Sequence, residues 1–346
     1  MSSSLATSSL LRAVGIGAGV VPATAMTAAI KWITKDGVGG LGRLVVGGRL
    51  SLFIDEDPRL WRMAAEAIST VGLSLEIGTI FFPAQFLLMA GTGNFAKALA
   101  RGIAQPSFRV IQQHFARNNN IGEVSAKEES WEVAGQMTGL LTSVLILSLL
   151  QDSTDWRPIL ATWGGFHSVH VICRYLALQS LQFDSLNLTR AQRLTLAHLR
   201  GEHMPDTMSV ARGENFLTDW LTAAPPIRFG CSLREFAAEL SAQGCFQRWQ
   251  EVFAEETYLL YVHRGRGFVV LKTQSTALDG LKSLWQFLWL MQSGYTKTPT
   301  VDHIQDSLRI TNARFPDFLR QASAAGWDVE NLLLRAGPVR VTPQVS

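Results

Sequence analysis

The sequence predicts a mainly α protein: an N-terminal apolar helical bundle that a membrane could hold, followed by a smaller α+β C-terminal domain with a β-hairpin. Three observations predict it. Only 17% of the 346 residues are charged and 47% are apolar, whereas about a quarter are charged in an ordinary soluble domain. The deficit is uneven, with 26 charges in the first 183 residues and 33 in the remaining 163. Two β-rich runs, TYLLYVH and GFVVLK, lie close together late in the chain.

Taken in order, residues 1–10 (MSSSLATSSL) read as a disordered start. They are Ser-rich and acid-free, as transit peptides are, although Arg12 is the only base nearby. Residues 11–200 read as the helical domain. Its first apolar run, 13–30, carries Gly15, Gly17, Gly19 and Pro22, which suits a closely packed helix pair better than one long helix. The second, 67–96, is interrupted only by Glu76. The third, 133–151, is 19 residues bounded by Glu132 and Asp152, long enough as a helix to cross roughly the ~30 Å hydrocarbon core of a bilayer. A fourth, 158–173, holds two histidines and reads as a buried or re-entrant helix. Length and charge exclusion favour membrane association over a large soluble protein with buried helices. No orientation follows, because the connecting segments 31–66 and 95–132 hold six and five Lys or Arg residues.

Helical periodicity resumes over 185–200. A linker, 201–226, ends at Pro225-Pro226, a pair that helices do not cross. An α+β domain over 227–335 then opens on a helix from Ser232, with capping-box spacing to Glu235. The two β-rich runs follow, and the Arg264-Gly265-Arg266 between them marks a hairpin with glycine in the turn. The stretch TALDGLKSLWQFLWLM is a helix whose Trp285 and Trp289, one turn apart, suit core packing. Shorter helical segments run to about Leu334, and 336–346 is a tail.

Composition excludes several classes of function. A net charge of +3 from 31 basic and 28 acidic groups leaves no footprint for nucleic acid. Cys173, Cys231 and Cys245 match no disulfide framework. His167, His170 and Cys173 are spaced three apart, but zinc needs more ligands than they supply, so no metal is expected. Gly37, Gly39 and Gly42 satisfy G-x-G-x-x-G, yet Lys35 and Asp36 stand where a buried strand should. The segment reads as a glycine-rich turn with Lys35, Asp36 and Arg43 at its edges, with an anion-binding nest as the other reading. Glu76 must pair, protonate or reach water; an ion pair with Lys or Arg is the simplest solution, and a binding role for a cation the alternative. Nucleophile-elbow and paired-carboxylate signatures are absent, so no catalytic residue and no cofactor is assigned and a non-enzymatic role is expected.

The blocks KWITKDGVGGLGRL, DPRLWRMAAEA, LEIG, GNFAK, QQHFARNNNIGEVSAKEES and LNLTRAQR, in this order, resemble the root UVB sensitive family. The likeness is strong over about 11–195 and looser beyond. The proline- and tyrosine-bearing segment that opens the family is not found here. Glu123, Trp131 and Arg174 stand where the family usually has Asp, Gln and Asn. The resemblance implies a regulator linked to vitamin B6 homeostasis, UV-B response, auxin transport and development. It implies a partner that is a homologous family member, in a hetero- or homo-oligomer, and a plastid or other organelle as the compartment. Its blocks imply candidate ligand-binding positions at Lys35, Asp36, Gly37, Gly39, Gly42, Arg43, Asp57, Trp61, Arg62, Asn94, Lys97, His114, Ala126, Lys127, Asn187 and Arg190, besides Glu76. The second reading is a carrier or sensor that binds a small anion such as a B6 vitamer.

Overall fold

The computed structural model describes residues 54 and 57–341, leaving out 117–119, 150–155, 220–224, 235–236, 238–239, 241–245, 296 and 335–339. The apolar run 13–30 and the glycine-rich segment with Lys35, Asp36, Gly37, Gly39, Gly42 and Arg43 lie outside the described residues, as does part of the helix expected from Ser232. The chain forms two compact units, divided in sequence between Leu181 and Gln182.

In the first unit, α1 (Pro58–Gly78) starts where Asp57 accepts a hydrogen bond from the Leu60 N–H at 3.3 Å. Pro58 at the first position has no N–H to leave unsatisfied. A short 3-10 turn (Pro83–Gln85) reverses the chain into α2 (Phe86–Phe115), which runs antiparallel to α1. The two helices touch through glycine. A Cβ on Gly72 would sit 2.7 Å from the Gly93 carbonyl oxygen, and a Cβ on Gly93 2.7 Å from that of Gly72. Only glycine permits that approach on either side. Helix α4 (Arg157–Gln179) packs its Leu160 and Trp163 against Leu73 and Ile77 of α1.

Helix α3 (Ile121–Leu149) behaves differently. Nearly every side chain along it is exposed, including Trp131, Met137, Leu141, Val144, Leu145 and Leu149. It was expected to cross a bilayer over 133–151, but among the described residues no helix is long and apolar enough to cross a membrane. The helix begins well before the apolar run and carries Glu123, Lys127, Glu128, Glu129 and Glu132 in its first turns. The 158–173 run is not a buried helix either. It continues to Gln179 and is two-faced, with Ile159, His167 and Leu178 inside and Phe166, Val169, Ile172 and Leu176 exposed.

The second unit is built on a sheet in the order β2-β4-β3 (Ile227–Phe229, Arg266–Lys272, Tyr258–His263), with β6 (Arg340–Val341) pairing further along β4. Strands β3 and β4 form the expected hairpin. Arg264 and Gly265 both have positive φ, 47° and 73°, the requirement of a two-residue primed turn, and Arg266 already pairs with His263. Helix α8 (Ala277–Gln292) follows, opened by a Thr276/Asp279 capping box. Its Leu281, Leu284, Trp285, Phe287 and Leu290 have no exposed surface.

Three expectations here are corrected. The periodic stretch 185–200 is not helical throughout: Ser185–Asn187 is a strand, β1, and only Leu188–Arg200 is helix, α5. Asn187 sets that boundary by accepting from the Arg190 N–H at 2.9 Å, and Gly201 at φ 69° closes the other end. The segment 201–226 contains a short helix, α6 (Thr207–Gly213), capped by Asp206. After α7 (Phe246–Val252) and the hairpin–α8 unit, the shorter segments expected towards Leu334 are one 24-residue helix, α9 (Val301–Ala324), and a strand, β5 (Asp328–Leu333). Strand β5 pairs with β1 in parallel.

Candidate functional site

A polar seam runs along α1 where α2 and α4 pack on it. Glu76 is 1% exposed, and the Lys97 ammonium lies 2.6 and 2.7 Å from its two carboxylate oxygens. The pair sits one turn beyond the Gly72–Gly93 contact on each helix, so the close approach that glycine allows also brings the two charges together. About three turns back on α1, Glu66 accepts from His170 Nε2 at 2.9 Å and lies 3.7 Å from Arg174. Burial acts to raise the Glu66 carboxyl, but the His170 hydrogen bond, with the charges of His170 and Arg174, outweighs it and holds the group below the usual carboxylate range.

His167, one turn before His170's own turn, meets the Thr70 hydroxyl at 2.8 Å through Nε2. That hydroxyl donates its proton to the Glu66 carbonyl at 2.8 Å, so Nε2–H is the donor to Thr70. Burial first, and then the neighbouring His170, lower the His167 pKa against the pull of Glu66, and the ring is neutral at pH 7. It stacks on Trp163 at 5.2 Å and 7°.

Arg62 lies between two cavities. Its Nη1 donates to the Ala104 carbonyl at 2.9 Å and its guanidinium lies 5.1 Å over the Phe108 ring. Burial and the nearby Arg174 disfavour its charge, while Glu66, Glu128 and Glu132 favour it. On one side is a groove of about 400 Å³ between α1 and α2, lined by Arg62, Glu66, Ser69, Lys97 and Arg101. On the other, about 660 Å³ opens between α2 and the start of α3, lined by Arg62, Arg109, Gln112, Glu128 and Glu132.

The candidate residues from the sequence separate accordingly. Arg62, Glu76 and Lys97 come together on the seam. Asp57 caps α1, Trp61 packs against the small cluster of Ile54, Ala65, Ala100 and Ile103, and Asn94 sits one turn before Lys97 on α2. His114 lies against Phe115 at the end of α2. Lys127, next to Ala126, is largely exposed and pairs with Glu123 one turn away at 2.6 Å. Asn187 and Arg190 belong to the second unit, where Arg190 forms a buried two-point ion pair with Glu214 at 2.8 and 3.0 Å. Glu66, Arg101, His170 and Arg174 are the seam residues that sequence reasoning missed. The spacing of His167 and His170 was visible, but their partners lie about a hundred residues earlier on α1.

For a metal, Glu128, Glu129 and Glu132 bring carboxylate oxygens within 4.8 Å of one another on α3, a hard-oxygen set of the type that magnesium and calcium take. Crowding is visible in Glu128, whose pKa is raised by burial and then by Glu132 and Glu129.

The fold and seam define a helical domain followed by an α+β domain, and two family models also divide the chain in two, about twenty residues after the structural boundary. The vitamin B6 photo-protection and homoeostasis domain matches residues 1–202, and the root UVB sensitive C-terminal domain matches 203–342. The chain belongs to the root UVB sensitive family. It is 38% identical to protein root UVB sensitive 5 of Arabidopsis thaliana, over 99% of this chain and 69% of that one. It is 28% identical to the chloroplastic root UVB sensitive 2 of the same plant, over 95% of this chain and 74% of the relative. A RUS family member of Dictyostelium discoideum is 32% identical over 62% of this chain and 40% of its own. No solved structure matches.

Proposed function

We propose that this protein is a non-enzymatic regulator of vitamin B6 homeostasis and the UV-B response, held at a membrane of a plastid or related organelle and working with a homologous family member. The observation that carries the reading is the apolar surface of α3 and α4. Leu141, Val144, Leu145, Val169, Ile172 and Leu176 are all more than half exposed, with 64% for Val144 and 59% for Val169. Surface of this kind is covered by a partner or a lipid phase in the working protein. A homologue is a suitable partner because family members coexist in one plant, and a chloroplastic relative supports the compartment.

The test is co-expression with a tagged family homologue, followed by carbonate extraction and affinity capture. Retention in the membrane fraction with capture of the homologue is expected, and Leu141→Asp with Leu145→Asp should abolish capture. Full release together with no capture overturns the reading.

A further inference from the structure

We propose that the groove between α1 and α2 binds a small phosphomonoester dianion between Arg62 and Arg101, with Lys97 at its side. The proposal uses other residues than the α3 and α4 surface, so either can fail without the other.

Four cations converge here, Arg62, Lys97 and Arg101 on the groove and Arg174 behind it, with Glu66 and Glu76 beside them and Glu128 and Glu132 on the far side of Arg62. The two carboxylates on the groove side are engaged: Glu76 holds Lys97, and Glu66 holds His170 and Arg174. Arg101 is exposed on the turn after Lys97, and among the described residues no carboxylate pairs with it. Arg62 directs Nη1 to the Ala104 carbonyl, which holds one edge of a guanidinium that lines the groove, and a guanidinium fork is the group that recognises oxyanions. Burial beside Arg174 disfavours the Arg62 charge, and an anion in the groove relieves that cost.

Size and lining narrow the class of ligand. Ala65, Ala100 and Ala104 leave a space of about 400 Å³, which falls in the range of small-molecule sites at roughly 300–1,000 Å³. That exceeds what an inorganic ion needs, and Leu73 with the alanines offers an apolar wall for an organic body. Ser69 supplies a hydroxyl on the α1 side. Two guanidinium groups on opposite walls suit a doubly charged phosphate better than a carboxylate, which one fork satisfies. The same headgroup chemistry could come from a free metabolite or from a lipid, and the experiment separates them.

Isothermal titration of the full chain with pyridoxine 5′-phosphate, inorganic phosphate and pyridoxine compares a phosphorylated body, the anion alone and the body alone. Pyridoxine 5′-phosphate has no aldehyde to react with lysines at large. Flotation with vesicles containing phosphatidic acid tests the lipid source. Binding of a phosphorylated probe, weakened about tenfold by Arg101→Ala and unaltered by Arg109→Ala outside the groove, is expected. Arg62→Lys should weaken it less than Arg62→Ala. Loss on Arg101→Ala in the vesicle arm alone assigns the dianion to a lipid headgroup. No binding of any phosphate probe, equal binding of pyridoxine, or equal weakening by Arg109→Ala overturns the proposal.

Discussion

The two units use apolar residues in opposite ways. In the second unit they converge on α8: Leu281, Leu284, Trp285, Phe287 and Leu290 are sealed between the sheet, α5 and α9. Polar groups inside it are paired where they meet α8, as Tyr258 donates to Gln286 at 2.8 Å and Gln286 to Ser307 at 2.8 Å. Among its described residues the first unit has small buried clusters, such as Ile54, Ala65, Ala100 and Ile103, and turns much of its Leu, Val and Met outward on α3 and α4. Its α1–α2 contact is made by glycines, and the buried Glu76 pairs with Lys97 beside that contact. An apolar composition therefore does not by itself report a core. In one unit it stabilises the fold, and in the other it leaves surface for something else to cover.

The largest expected effect tests the sealed core. Trp285→Ala should destabilise the second unit by about 3–5 kcal/mol, read as a lower denaturation midpoint; a smaller loss would mean that the two units differ less than burial indicates. Next is the charge pair of the first unit. Lys97→Met leaves the Glu76 carboxylate buried without its ion pair and should cost about 3 kcal/mol, whereas Lys97→Met with Glu76→Leu recovers most of that; denaturant titration of both variants checks it. Gly72→Ala follows, at about 1–3 kcal/mol destabilising because the methyl meets the Gly93 carbonyl. A gain in stability, as helix propensity alone would give, would mean that α1 and α2 are less tightly opposed.

A weaker effect is pH dependence shared by both units. His167 and His198 both have folded pKa values lowered chiefly by burial, so each favours the folded state above the unfolded pKa of about 6.5. That contribution is lost as pH falls through the lowered folded values. The Glu66 contribution is present above the ordinary carboxylate pKa and lost only in more acid solution, as pH falls through its lowered folded value. Stability measured between pH 8 and 4 should decline towards acid, and His167→Gln should flatten the first part of the decline in the first unit while leaving that of the second. The smallest expected effect is at the surface: Leu141→Ser should change folding stability by less than about 0.5 kcal/mol, measured by thermal melting, even where it impairs partner capture.

Legibility in the sequence followed the range of the interactions. The hairpin was readable because its turn chemistry, Arg264-Gly265, sits between two β-rich runs. Helix α8 was readable from an apolar-rich stretch that Thr276 and Asp279 cap within a few residues. The strand Ser185–Asn187 was not readable, because the periodicity that follows it is helical and its partner is β5, more than a hundred residues later. For the same reason the requirement that Glu76 find a partner was legible, but not that Lys97 meets it next to a glycine contact. Glu66 carried no local signal, and the spacing of His170 after His167 and the departure at Arg174 did not show that both would meet it.

By itself the sequence determined the shortage of charge, its concentration in the first half, the late hairpin and the family blocks, since each depends on neighbours a few residues apart. Only the tertiary structure decided which apolar residues face inward and which cations share a groove. Burial and charge pairing are set by helices that meet across tens to a hundred residues of chain, and local pattern does not specify which faces meet. That is why the same kind of apolar run became a sealed core at α8 and an exposed surface at α3.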